Sequence, residues 1–288
     1  MTELPLTFLQ ELEALGFDEE AETLVTGYAR RHIKQMPLLA NNAYSGEGYD
    51  FSICHLHPPG RLAVMVWKLS EIRRRYEDCG VSAEIIQDTF SDVALRQRLF
   101  FQNNGKVGLS RADCVWLRHL ANAQIFKLGV LQYQVWKMFY LETYEDGRPF
   151  FAISETQKAR LPAGTPVLNV HIQKGADLRQ ENVTASLRMA GAFFARVFPE
   201  TRFRAMVCYS WLLHSGLKAL LPTSSRILRF AENFEIISES ADSTQAVERI
   251  FGKRYRRKAD HPQQTCLQRE ALQHPSRLGY ALGVIYLD

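Results

Sequence analysis

The first third of the chain places apolar residues at helical spacing. Phe8, Leu9, Leu12 and Leu15 form one stripe. Ala21, Leu24, Val25 and Tyr28 form a second, with Pro37 following where a helix should stop. Met65, Leu69, Ile72 and Tyr76 make a third, which Gly80 can close as a C-terminal cap. Ser82 and Ser91 stand where they can cap two short helices over residues 85–90 and 93–101. Ser110 with Asp113, ahead of Val115, Trp116 and Leu120, is a capping-box pattern. Residues 41–60 hold three glycines and two prolines and read as a loop.

After Gly129 the period changes to that of a strand. In residues 131–141, Leu131, Tyr133, Val135, Phe139 and Leu141 alternate with Gln132, Gln134, Trp136, Met138 and Tyr140. Asp146-Gly147 predicts a hairpin turn into a strand over residues 150–153. A strand over 167–172, a helix over 179–198, a strand over 205–209 and a helix over 212–221 follow. Residues 227–237 are β-rich, 246–252 read as a short helix, and 278–287 as a last strand. In that strand Gly279, Ala281 and Gly283 share a face, which predicts the close approach of backbone or ligand. The order predicts an α+β protein: an all-helical N-terminal domain over residues 1–125, then a mixed β/α domain over 126–288 whose sheet carries packed helices.

Composition narrows the classes. The 288 residues are 46% hydrophobic and 23% charged, which excludes a disordered or collagen-like chain. No uncharged apolar run approaches the ~20 residues of a spanning helix, so no membrane role is expected. The N-terminus is acidic and amphipathic, unlike a secretory signal. Five widely spaced cysteines without a CxxC pair argue against a disulfide framework and fit a cytoplasmic protein. Cys54, His55 and His57 resemble metal ligands, but Pro58-Pro59-Gly60 follows at once and no second cluster has ligand spacing, so no metal is expected. The net charge of +4 is too small a surplus to argue for nucleic acid by itself; the basic run Lys253 to Lys258, the one feature that could suggest it, reads as a solvated loop or a phosphate contact.

The strings LNVHIQKGADL, SLRMAGAFFARVFPE, CYSWLL, LLPTSSRILRF and TCLQREAL carry a resemblance. Together they are similar to bacterial acyltransferase domain-containing proteins, in which a helical N-acyltransferase N-terminal domain precedes a GNAT-like C-terminal domain. The join FKLGVLQYQV resembles a segment that in the family reads closer to LGRLQF, with Val130 in the place of Arg. The resemblance implies a GNAT-like fold that binds acetyl-CoA or another acyl-CoA between two splayed parallel strands, here 167–172 and 205–209. Asn169, Val170 and Ile172 would then border the pantetheine arm. Lys174 and Gly175 would meet the pyrophosphate at the start of the following helix. The family's Q/R-x-x-G-x-G/A loop is reduced here to Gln173-Lys174-Gly175-Ala176-Asp177-Leu178, and an ordinary β–α turn capped by Asp177 fits the same residues.

The implied reaction is direct transfer of the acyl group to a small-molecule amine in a ternary complex. It needs proximity, a base for the amine's proton and donors for the oxyanion. His171 is the candidate base, on the face shared with Asn169 and Val167. Tyr209 is a candidate acid for the departing thiolate, and Ser210 beside it reads as a helix cap. Glu235 is a second candidate base, because partial burial between Phe234 and Ile236 would raise its pKa. Cys208 admits an acyl-cysteine route, although a buried cysteine is usually an inert small hydrophobe. Residues 41–60, with Tyr44, Tyr49 and Phe51, read as a lid or a connection. The alternative to catalysis is a ligand-binding module that kept the architecture and lost cofactor use.

Overall fold

A computed structural model describes residues 3–252 and 261–287; the basic run Lys253 to Lys258 falls outside the described residues. The chain divides into two compact units, Met1–Lys127 and Leu128–Asp288.

The first unit is built from helices α1 (Leu6–Leu15), α2 (Glu19–Arg31), α3 (Met36–Asn41), α4 (Pro58–Asp78), α5 (Ala83–Asn104) and α6 (Arg111–Ala121). The apolar stripes face inward: Phe8, Leu12, Val25, Met65, Leu69, Ile72 and Tyr76 are all buried. The Tyr76 hydroxyl donates to the Ile125 carbonyl at 2.7 Å, which satisfies its one polar atom. The Ser110–Asp113 capping box is present at the start of α6.

Several boundaries differ from the sequence reading. Pro37 lies in the first turn of α3, and Pro58-Pro59 open α4. A missing N–H costs nothing at a helix start, so these prolines begin helices. Residues 41–60 are therefore a short ribbon, β1 (Gly46–Glu47) with β2 (Asp50–Phe51), and a 3-10 turn. Helix α5 runs unbroken through Ser91, whose hydroxyl bonds back to the Asp88 carbonyl at 2.6 Å.

The second unit is organised by a six-stranded sheet, whose first strand spans the division between the units. Its strands are β3 (Ile125–Leu128), β4 (Leu131–Lys137), β5 (Pro166–His171), β6 (Ala205–Ser210), β7 (Glu235–Ser240) and β8 (Tyr280–Tyr286). The spatial order is β3-β4-β5-β6-β8-β7, and β5 with β6 is parallel. Around it stand α7 (Glu155–Arg160), α8 (Gln180–Val197), α9 (Arg226–Ala231), α10 (Thr244–Phe251) and α11 (Cys266–Gln273).

The expected strand over 131–141 stops at Lys137. The chain then folds back across one sheet face and turns at Asp146-Gly147, with Phe150 and Phe151 N–H donating to Glu142 and Leu141. It lays Met138, Tyr140, Phe151 and Ile153 against Val167, Ala205, Val207, Leu282 and Val284. On the other face α8 docks through Ser186, whose hydroxyl lies 3.0 Å from that of Tyr133, and through Phe194, edge-on to the Tyr133 ring.

Two expectations are corrected here. Residues 227–237 are the helix α9 followed by β7, because Ser225 caps the helix through the Ile227 N–H. The expected helix over 212–221 is two 3-10 turns, split where the His214 ring accepts the Gly216 N–H at 3.2 Å. The small residues near the C-terminus make room for protein rather than ligand. A Cβ on Gly283 would stand 2.7 Å from Leu213 and 2.8 Å from Phe234. Gly283→Ala therefore overpacks the core, and chemical denaturation should show a loss of about 1–3 kcal/mol; unchanged stability would show that this contact yields freely.

Candidate active site

The site starts from unequal ladders. β4 pairs with β5 along six positions, from Lys137↔Pro166 to Gln132↔His171. β6 pairs with β8 along six, from Ala205↔Tyr286 to Ser210↔Ala281. Between them, β5 and β6 pair at only two, Leu168↔Met206 and Asn169↔Val207. Each central strand is thus held along its outer edge while the inner edges part beyond Asn169 and Val207.

Which backbone groups border the gap follows from alternation. The Pro166 carbonyl accepts from the Arg204 N–H, so the even residues of β5 turn their backbone toward β6. Val170 and then Ile172 meet the gap. On the other side, the Arg204 carbonyl accepts from Leu287, so even residues of β6 face β8 and Tyr209 faces the gap. The Tyr209 carbonyl is taken by the Tyr280 hydroxyl at 3.0 Å. The site therefore offers Val170 and Ile172 from one wall and the Tyr209 N–H from the other.

Register partners share a sheet face, so Gln132, Gln134, Asn169 and His171 form one block beside the gap. Gln132, Gln134 and Asn169 are 1%, 2% and 9% exposed. His171 Nε2 lies 2.8 Å from Gln134 Oε1. With that oxygen accepting, Nε2 carries the hydrogen and the basic lone pair is on Nδ1. Asn169 Oδ1 and Gln132 Nε2 are buried without a partner among the described residues.

Beyond β5 the chain turns at Gln173–Ala176, where the Ala176 N–H meets the Gln173 carbonyl. Gly175 adopts φ +87°, which its neighbours in the turn could not share without strain, and open space surrounds its α-carbon. Lys174 is exposed beside it. Asp177 does not cap α8. Arg179 holds the cap position with no side-chain hydrogen bond, so the first amides of the helix stay uncapped. Asp177 accepts from the Arg179 backbone N–H at 3.2 Å, Arg179 Nε at 2.6 Å, Asn182 Nδ2 at 2.9 Å and an Arg226 guanidinium nitrogen at 3.4 Å. The Arg179 hydrogen bond holds its carboxyl below the usual range.

The other candidates fall elsewhere. The Tyr209 hydroxyl donates to the Phe139 carbonyl, and burial pushes the phenol well above its ordinary pKa. It is a poor proton donor near neutrality, and its backbone N–H is what reaches the gap. Glu235 lies on the outer strand β7, with β8 and β6 between it and the gap. It is exposed, not partly buried, and pairs with Arg160 at 2.9 Å. Cys208 is fully buried on the face opposite Tyr209, and desolvation pushes its thiol well up. His55 bonds Asp50 at 3.1 Å, and His57 packs edge-on to Tyr28. Among the described residues no three His, Cys, Asp or Glu side chains cluster to hold a metal ion.

Sequence reasoning missed Gln132, Gln134, Tyr280, Arg179 and Arg226. Gln132 and Gln134 were visible as polar positions in a strand, but alternation alone reads such positions as solvent-facing.

The sequence matches the GNAT-like C-terminal domain over residues 125–285 and the N-acyltransferase N-terminal domain over residues 8–122. No curated protein matches it. Among solved structures, an acyltransferase in complex with decanoyl-CoA and teicoplanin superposes with a TM-score of 0.75 at 18% identity, covering 100% of this chain and 90% of that one. An acyltransferase in complex with decanoyl-CoA gives a TM-score of 0.67 at 21% identity, covering 99% and 85%. The chain thus belongs to the acyltransferases that join an N-acyltransferase N-terminal domain to a GNAT-like C-terminal domain.

Proposed function

We propose that the protein transfers an acyl group from acyl-CoA to the amine of a small molecule, by direct attack in a ternary complex. The observation that carries this reading is the β5–β6 ladder that stops after two rungs while both outer ladders run to six. An extended chain with amide groups can complete such a ladder as an added strand would. The pantetheine arm is such a chain. The uncapped start of α8, with Lys174 and the open turn at Gly175, suits the pyrophosphate. The fold neighbours were crystallised with decanoyl-CoA, with CoA and with teicoplanin, which supports an acyl-CoA donor and a small-molecule acceptor. No helix among the described residues is long and apolar enough to cross a membrane. All five cysteines are free, which suits a cytoplasmic protein.

In this reading the amine attacks the thioester carbonyl held in the gap. A C–N bond forms, His171 Nδ1 takes the amine's proton, and the Tyr209 N–H steadies the oxyanion. Collapse breaks the C–S bond and releases the CoA thiolate. Asn169, Val170 and Ile172 border the arm, and Lys174 and Gly175 meet the phosphates. Glu235 and the Tyr209 hydroxyl take no part. A ligand-binding module without turnover is the rival, and the Asp177 carboxylate among the anion-facing groups is what favours it.

Titration with acetyl-CoA and decanoyl-CoA tests the donor: both should bind, and no binding of either at millimolar concentration would reject the reading. With an active acceptor, His171→Ala should lower kcat by roughly 10²–10⁴ while Glu235→Gln leaves it unchanged; the reverse pattern would exchange their roles. The direct route also excludes a reactive cysteine. An aromatic disulfide reagent should titrate two thiols of the native protein, the exposed Cys79 and Cys266, and all five after denaturation. Rapid labelling of Cys208 in the native state would revive the acyl-cysteine route.

A further inference from the structure

Tyr209 turns its carbonyl as well as its N–H toward the gap, because both groups of a strand residue point to the same side. A bare carbonyl there opposes the charge that builds on a thioester oxygen. Side chains from β8 and α10 occupy it. The Tyr280 hydroxyl lies 3.0 Å from the Tyr209 carbonyl oxygen, and Gln245 Nε2 lies 3.4 Å from the Tyr280 oxygen. Gln245 Oε1 lies 3.2 Å from the Trp211 nitrogen, just past the end of β6. The direction of each bond is fixed by its ends. The Trp211 N–H only donates, so Gln245 turns its oxygen to it and its NH2 to Tyr280. The Tyr209 carbonyl only accepts, so it receives the phenol hydrogen. Burial pushes the Tyr280 pKa up to about 12, and the hydrogen stays in place at neutral pH. Both side chains are themselves held. The Tyr280 ring stacks on that of Phe151 at 6.0 Å. Asp242 accepts the Thr244 N–H at 2.7 Å, at the start of the helix that carries Gln245.

We propose that Tyr280, oriented by Gln245, is a positioning residue for acyl transfer: it occupies the Tyr209 carbonyl, so that this wall meets the thioester oxygen with an N–H and no competing acceptor. This rests on the acyl-CoA reading above. The two side chains act through the strand and not on the substrate. Their effect grows with the charge on the oxygen, so it belongs to the transition state more than to donor binding. Loss of Tyr280 therefore lowers kcat and leaves the KM for the donor in place.

Infrared difference spectroscopy with acetyl-CoA isotope-labelled at its thioester carbonyl tests this without an acceptor. The proteins compared are the wild type, Tyr280→Phe, Gln245→Leu and Tyr140→Phe. Tyr280→Phe keeps the ring and removes the hydroxyl. It should bind acetyl-CoA as the wild type does, while the carbonyl band moves to higher frequency, because a bare carbonyl now faces the thioester oxygen. Gln245→Leu should move the band the same way, since the Tyr280 hydroxyl is then free to turn. Tyr140→Phe is the control for stability alone: it also deletes a buried hydroxyl that donates to a backbone carbonyl, that of Leu161 at 2.7 Å, and it should leave the band in place. With an active acceptor, Tyr280→Phe should lower kcat about tenfold at an unchanged KM for the donor. If the wild type binds acetyl-CoA and the Tyr280→Phe band does not move, this inference falls and the acyl-CoA reading stands. If the wild type binds none, both fall. An equal band shift in Tyr140→Phe also overturns the inference, since the effect would then be a general loosening. An unmoved band in Gln245→Leu takes Gln245 out of the assignment.

Discussion

A strand cannot end its ladder inside a protein without leaving N–H and C=O groups that need partners. Everything in the second unit's candidate site descends from one such ending. β5 is fixed along β4 and β6 along β8, so the strands between which the ladder fails are each held straight from outside. The gap is therefore a property of two well-made half-sheets rather than of a frayed edge. Tyr280 shows how far the fold goes in managing it. Its hydroxyl takes the Tyr209 carbonyl, which leaves a donor and not an acceptor turned toward the gap from that wall. A wall that offers a donor suits a carbonyl oxygen on which charge develops.

The turn after β5, the proposed phosphate end, differs from the familiar glycine-rich loop. Only one residue there needs a left-handed backbone, and it is Gly175. Asp177 takes the backbone N–H of Arg179 as well as the side chains of Arg179, Asn182 and Arg226, while the amides of α8 that follow have no side-chain cap. The carboxylate thus sits at the helix start and pins two guanidinium groups beside it. These ion pairs are half-exposed, and exposed pairs hold little energy of their own.

Much of this was legible in the chain. The stripes of Phe8 to Leu15 and Met65 to Tyr76, the Ser110 capping box, the strands near Asn169 and Val207, and the helix after Asp177 follow from local periodicity and caps. What was hidden is non-local. Residues 227–237 carry β-branched and aromatic side chains, yet Ser225 starts a helix and the strand begins only at Glu235. The same delay puts Glu235 on an outer edge, where it meets Arg160 instead of an apolar cleft. Gln132 and Gln134 look like a solvated face, because periodicity cannot tell a polar face that is covered from one that is wet. The parting of β5 from β6 has no sequence signature. It is a statement about register between segments about 40 residues apart, and register is set by their other neighbours.

The covered polar block also explains why His171, and not Tyr209, suits proton transfer. Both side chains stand on the same sheet face. The tyrosine has its hydrogen committed to the Phe139 carbonyl and its pKa driven up by burial, so both its proton and its anion are costly to use. The histidine gives one ring nitrogen to Gln134, which fixes the ring and decides which nitrogen keeps the lone pair. A glutamine in that role orients without adding charge. A carboxylate would hold the ring more tightly, yet it would also put a charge among the buried amides of Gln132, Gln134 and Asn169. Amides orient the ring without adding charge beside it, and amides are what β4 and β5 supply.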